Sequence, residues 1–159
     1  MIIKIMSRDA IEMLCEHPFV EKTAIISITD YGYDFAELKN KPHHLLQLAF
    51  DDVDGDVFID EIGENPSAED KLKIEKKYHM FSNEQAKQIV EFVNDVWDKV
   101  DVIIFQCEHG QSRSAAVAAA IMQYKYQNGI EIFADDNYYP NKLVYRKVFD
   151  ALNMGKVSP

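Results

Sequence analysis

Cys107, Arg113 and Ser114 lie in the stretch Cys107-Glu-His-Gly-Gln-Ser-Arg-Ser114, and their types and spacing suit chemistry on a small anion. The apolar run Val102-Ile-Ile-Phe105 leads in and an alanine-rich run leads out, so the stretch reads as the turn between a buried strand and a buried helix. Successive backbone N–H groups in such a turn point inward and cradle an anion. The helix N-terminus adds orphan donors and the positive end of its dipole. The guanidinium of Arg113 can grip two phosphate oxygens at once, which an ammonium cannot. The same field favours the thiolate of Cys107 and makes it a nucleophile near neutral pH. Gly110 supplies backbone freedom where the loop must approach the anion closely.

The elements that must position this loop follow from periodicity. Ile2 to Met6 predicts a first strand, and Ser7 caps a short helix from Arg8 to Glu16 with Ala10, Ile11 and Leu14 inward. Thr23 to Thr29 is a β-branched second strand, followed by a loop at Asp30-Tyr-Gly-Tyr. Leu45 to Phe50 is a third strand that runs into the acids Asp51, Asp52, Asp54 and Asp56. Residues 54 to 80 are polar and irregular, apart from a short charged helix over Ser67 to Tyr78. Ser82-Asn-Glu-Gln85 is a capping box, and Ala86, Ile89, Val90, Val93, Val96 and Trp97 follow at helical spacing to residue 98. Val100 to Phe105 is a central fourth strand, and Ser112 to Gln127 a buried helix closed by Asn128-Gly129. Asn141 caps a last helix with Tyr145, Val148, Phe149 and Leu152 on its inner face. The alternation predicts a three-layer α/β/α domain over residues 1–159, with a mostly parallel sheet of four to five strands and its ligand site beyond the strands' carboxyl ends.

The 159 residues suit one domain. A formal charge of -10 and a pI of about 4.9 argue against nucleic-acid or anionic-membrane partners, since polyanions need a basic face. The longest apolar run, Ala115 to Met122, is too short to span a bilayer, and the start lacks the layout of a secretory signal. Cys15 and Cys107 cannot form a disulfide framework, so a reducing cytoplasm is expected. Cys15 reads as core. The Asp cluster fails as a calcium loop: counted from Asp52, position six is Val57 and position twelve Gly63. His43-His44 is a weak metal signal, because adjacent strand residues face opposite ways. His109 is expected at the pocket rim, and Tyr138-Tyr139 at a rim or in packing.

The Cys-x5-Arg pattern between strand and helix resembles the signature loop of the cysteine-dependent protein tyrosine phosphatases, and its Gly-x-Ser-Arg-Ser ending is most similar to the small dual-specificity branch. FDDVD before the loop and Pro-Asn-Lys-Leu-Val-Tyr-Arg after it are similar to predicted bacterial and phage members, and the likeness spans about residues 45 to 150. The resemblance implies a phosphotyrosine-phosphatase-like fold and a cofactor- and metal-independent phosphomonoesterase. Its substrate would be a phosphorylated protein or a small phosphomonoester. Cys107 would attack phosphorus. The amides of Glu108, His109, Gly110, Gln111, Ser112 and Arg113 would bind the phosphoryl oxygens with the Arg113 side chain. Ser114 would hydrogen-bond the thiolate. Matching Leu48-Ala-Phe-Asp-Asp52 to the family pattern puts Asp52 at the general acid, with Asp54 second. Rival readings are a phosphate-binding module with weak or no turnover, and a sulfurtransferase or arsenate reductase on the same loop. Two departures stand out. Gln106 replaces the usual histidine before the nucleophile, and an amide can orient the loop but carries no charge. In addition, 54 residues lie between Asp52 and Cys107, the surplus being the polar segment 54–80, as a lid or a decoration.

Overall fold

The structure, a computed structural model, describes residues 1–154. Its sheet is four-stranded and wholly parallel in the order β1-β4-β2-β3, with β1 Ile2–Met6, β2 Thr23–Thr29, β3 His44–Ala49 and β4 Val102–Gln106. The two inner strands, β2 and β4, are buried at every position, which is why they read as continuous apolar or β-branched runs. Side chains alternate between faces. Ala24, Ile26, Ile28, Ile103 and Phe105 face a large core beneath α4 Asn83–Val96, α5 Arg113–Tyr126 and α7 Lys142–Asn153. Ile25, Val102 and Ile104 face a smaller one under α1 Arg8–Leu14 and the Ala36–Leu38 segment. The α/β/α layering expected from the alternation is present.

Several elements sit where the local chemistry puts them. Ser82 and Gln85 form the reciprocal capping box of α4. Asn141 caps α7 by accepting from the Val144 N–H at 3.1 Å. Ser7 and Ser67 cap α1 and α3, Ala68–Lys77, in the same way. Other expectations are corrected. In α1 the buried positions are Ile11 and the C-cap Cys15, while Ala10 and Leu14 are exposed: so short a helix covers the sheet with a single i, i+4 pair. The third strand begins at His44 and ends at Ala49, one residue early. The fourth begins at Val102, because the Val100 N–H still bonds back to Val96 at the end of α4. A helix α2, Asp56–Ile62, lies inside the segment read as irregular; it has no side-chain cap and buries no residue, so no sequence signal announces it. The left-handed residue after α5 is Gln127 (φ +56°), not Gly129. Gly129 instead leads into a short α6, Ile130–Ala134, where a Cβ would lie 2.5 Å from the Ala119 carbonyl oxygen.

Candidate active site

The loop from Cys107 to Ser112 joins β4 to α5 at the carboxyl end of the sheet and rests on the turn between β1 and α1. The Cys107 N–H donates to the Met6 carbonyl at 3.3 Å. Gly110 has φ +68°, and a Cβ there would sit 2.7 Å from the backbone nitrogen of Ser7. Both the left-handed conformation and the close approach exclude a side chain. The whole first half of α5, from Arg113 to Ile121, is buried. The loop is therefore held from below by one main chain and from behind by a helix locked into the core.

Cys107 is 2% exposed, and its Sγ lies 3.0 Å from Ser114 Oγ. The preceding Gln106 is fully buried: its Oε1 accepts from Ser27 Oγ, and its Nε2 donates to the Cys107 carbonyl at 3.0 Å. The amide thus ties the backbone of Cys107 to β2 without adding a charge. Arg113 is 4% exposed. Its Nη1 donates to Asp30 Oδ1 at 2.6 Å and to the Phe50 carbonyl at 2.8 Å, while its buried Nε has no partner. A buried donor left unmatched on a guanidinium held by two acceptors is free to donate to a further acceptor oxygen.

The four clustered acids separate clearly. Asp52 Oδ1 accepts from Ser112 Oγ at 2.8 Å and from Asn141 Nδ2 at 2.9 Å, so Asp52 is joined directly to the cysteine loop. Asn141 Nδ2 also donates to the Val53 carbonyl at 3.2 Å, and the Asn141 N–H donates to the Ser112 carbonyl at 3.3 Å. The cap of α7 is therefore also the clasp between the acid segment and the loop. Asp51 accepts from the Tyr31 N–H, Asp54 from the Gly55 N–H, and Asp56 lies in the first turn of α2; none of these contacts reaches the loop.

Around this centre, Glu108 pairs with Arg8 at 2.7 Å, and His109 and Gln111 are exposed at the rim. The Gln111 carbonyl accepts from the Tyr139 N–H at 2.8 Å, which places 70%-exposed Tyr139 beside the loop, whereas Tyr138 is half-buried. His43 Nδ1 accepts from the Thr23 N–H, a backbone role. Among the described residues, no group of three or more His, Cys, Asp or Glu side chains is placed to hold a metal, and no helix is long and apolar enough to cross a membrane. The segment after Asp54 folds into α2 and α3. It returns to the site at His79, whose carbonyl accepts from Asp51 and whose ring stacks on Tyr31 with centroids 3.7 Å apart.

Three participants were not singled out as site residues from sequence. Asp30 follows β2 immediately, and its position at a strand's carboxyl end was the available signal. Arg8 and the outward reach of Asn141 had none, because their contacts span 100 and 89 residues of chain.

No protein-family model and no curated protein matches the sequence. Two solved structures resemble the fold. One is Tk-PTP in its active form, at 16% identity and a TM-score of 0.52, covering 94% of this chain and 88% of that one. The other is PTPMT1, at 13% identity and a TM-score of 0.51, covering 96% of this chain and 90% of that one. The chain has the fold of the protein tyrosine phosphatases.

Proposed function

We propose that the protein is a metal-independent phosphomonoesterase of the cysteine phosphatase type, acting on phosphotyrosine or phosphoserine/threonine in a protein. The observation that carries this reading is the buried guanidinium of Arg113, with its Nε unmatched, three residues after the strand-to-helix loop's Gly110 and beside a buried cysteine hydrogen-bonded to Ser114. Cys107 Sγ attacks phosphorus, the bond from phosphorus to the ester oxygen breaks, and Asp52 gives its proton to that oxygen as it leaves. The loop amides and Arg113 hold the three equatorial oxygens throughout. In the second step, Asp52 takes a proton from water, the water oxygen bonds to phosphorus, and the sulfur departs as thiolate, stabilised by Ser114. The products are the free hydroxyl compound and inorganic phosphate. Asp52 suits the role because both donors lie on Oδ1, so the proton to be given belongs on the other oxygen.

The neutral Gln106, bonded at both its oxygen and its nitrogen, favours one rival, a phosphate-binding module with weak or no turnover. Hydrolysis of a generic aryl phosphate by the wild-type protein, with chelator present, separates the two. In the same assay Cys107→Ser is expected to abolish turnover while keeping inorganic phosphate affinity within about threefold, since the oxygen-binding groups are untouched. A serine variant that retains substantial activity overturns the phosphocysteine mechanism.

A further inference from the structure

We infer that Arg8 is a positioning residue for the anion loop: it cancels the charge of Glu108, the residue next to the nucleophile, and so keeps the loop's affinity for phosphate. The inference rests on the reading of that loop as a phosphate site. A carboxylate one residue past Cys107 opposes any anion bound there, because like charges raise each other's energy in a partly desolvated site. The structure answers that carboxylate from the first residue of α1, 100 positions earlier. Arg8 Nε donates to Glu108 Oε2 at 2.7 Å, and the Arg8 N–H donates to the Glu108 carbonyl at 3.1 Å. One residue thus holds both the side chain and the main chain of Glu108. Arg8 Nη2 is shared between Thr29 Oγ1 at 2.9 Å and the Asp34 carbonyl at 2.6 Å, which fixes the guanidinium in place. These groups wall a cleft of about 470 Å³ beside the loop, in which Asp30, Asp34 and Glu108 bring carboxylates and Arg8 brings the cation. Asp30 already offsets Arg113. With Arg8, three carboxylates face two guanidiniums on this side of the loop; without it they face Arg113 alone.

The test is the affinity of inorganic phosphate, measured by calorimetry at low and high salt, for wild type, R8Q, R8K, E108Q and the R8Q/E108Q double variant. R8Q is expected to weaken binding by about three- to tenfold at low salt, E108Q to tighten it by a few fold, and R8K to stay within about twofold of wild type. The R8Q deficit should shrink at high salt, as screening shortens the reach of the exposed charge. R8Q/E108Q should recover most of the loss, although its contacts to Thr29 and Asp34 are not restored. Because the double variant carries the same change at Arg8, its recovery rules out misfolding as the cause. In turnover assays R8Q should raise KM more than it lowers kcat. Unmoved binding in R8Q, or a double variant as weak as R8Q, overturns the inference and leaves Arg8 a mechanical strap. Wild-type protein that binds no phosphate overturns the phosphatase reading, and this inference with it.

Discussion

Cys107 and Asp52 meet at the same loop, but the chain supports them by different means. Behind Cys107, β4 is buried along its length and α5 is buried from Arg113 to Ile121. Asp52 is exposed and opens into α2, which buries nothing, and then α3, which buries only Ile74. Its fastening is mainly polar: side-chain bonds to Ser112 and Asn141, the bond from Asn141 to the Val53 carbonyl, the links of Asp51 to Tyr31 and His79, the Tyr31–His79 stack, and Lys147 of α7 holding Glu75 of α3. Free energies of local opening track buried apolar contact, so the Cys107 side belongs to the more stable part of the fold and the Asp52 side to the less stable part. The division suits the proposed chemistry. Donors that stabilise developing charge must be fixed before the charge appears, whereas the group that delivers a proton must admit substrate and water.

The largest break in this contrast is chemical. Asp52→Asn should slow hydrolysis of phenyl or alkyl phosphates by roughly 10²–10⁴-fold, the usual worth of a positioned acid, with less loss for an activated aryl phosphate. The basic limb of its pH profile should flatten. Asp54→Asn should keep most activity, since its carboxylate serves only the Gly55 N–H. Reversed behaviour of the two variants would move the acid to Asp54, and indifference of both would take it out of this segment.

A smaller effect is expected on the buried side. Gln106→His places a titratable ring between Ser27 and the Cys107 carbonyl, where it can add positive charge behind the thiolate. The acid limb of kcat/KM should move to lower pH. An unchanged limb would show that this position orients the loop and does not tune it.

The smallest effect belongs to the α2–α3 pair. Glu61 of α2 accepts from the Tyr78 hydroxyl and from Lys77, and these bonds, Tyr78 first, hold its carboxyl below its ordinary value of 4.5. A lowered folded-state value means the contact is fully in place above the ordinary value and is lost as pH falls through the folded one. Amide exchange in α2 should therefore lose protection below about pH 4.5 while α5 keeps its own, and Glu61→Gln should remove the dependence. Equal loss in both helices would show that the two sides open together.

Local pattern carried some residues and not others. Ser82 with Gln85, the β-branched run of β2 and the alanines of α5 each state their structure within a few positions, so those elements were legible. Asp52 was legible through the motif around it, and the structure brings it to Ser112. Asp30 was not, because nothing near it in sequence shows that Arg113 arrives from 83 residues away. Asn141 was readable as a cap from Val144 alone, but its amide's hold on Asp52 exists only in three dimensions. The α2 helix has neither cap nor buried face, the two signals by which short helices are recognised.

The strand order carries a further consequence, for the moment of synthesis. β1 pairs only with β4, Ile2 lying against Val102, and β4 must slide in between β1 and β2. At a ribosomal rate of about 5–20 residues per second, the first strand waits roughly 5–20 s for its neighbour to be made. Until then Met6 and Ser7, the floor on which Gly110 rests, have nothing to support. The β2–β3 pair, close in sequence, can form early in this interval, whereas Cys107 is translated only as it closes. A nascent or truncated chain lacking β4 therefore has no floor-supported loop, and the clasp from Asn141 to Asp52 and Ser112 can form only after a further 35 residues have followed Gln106.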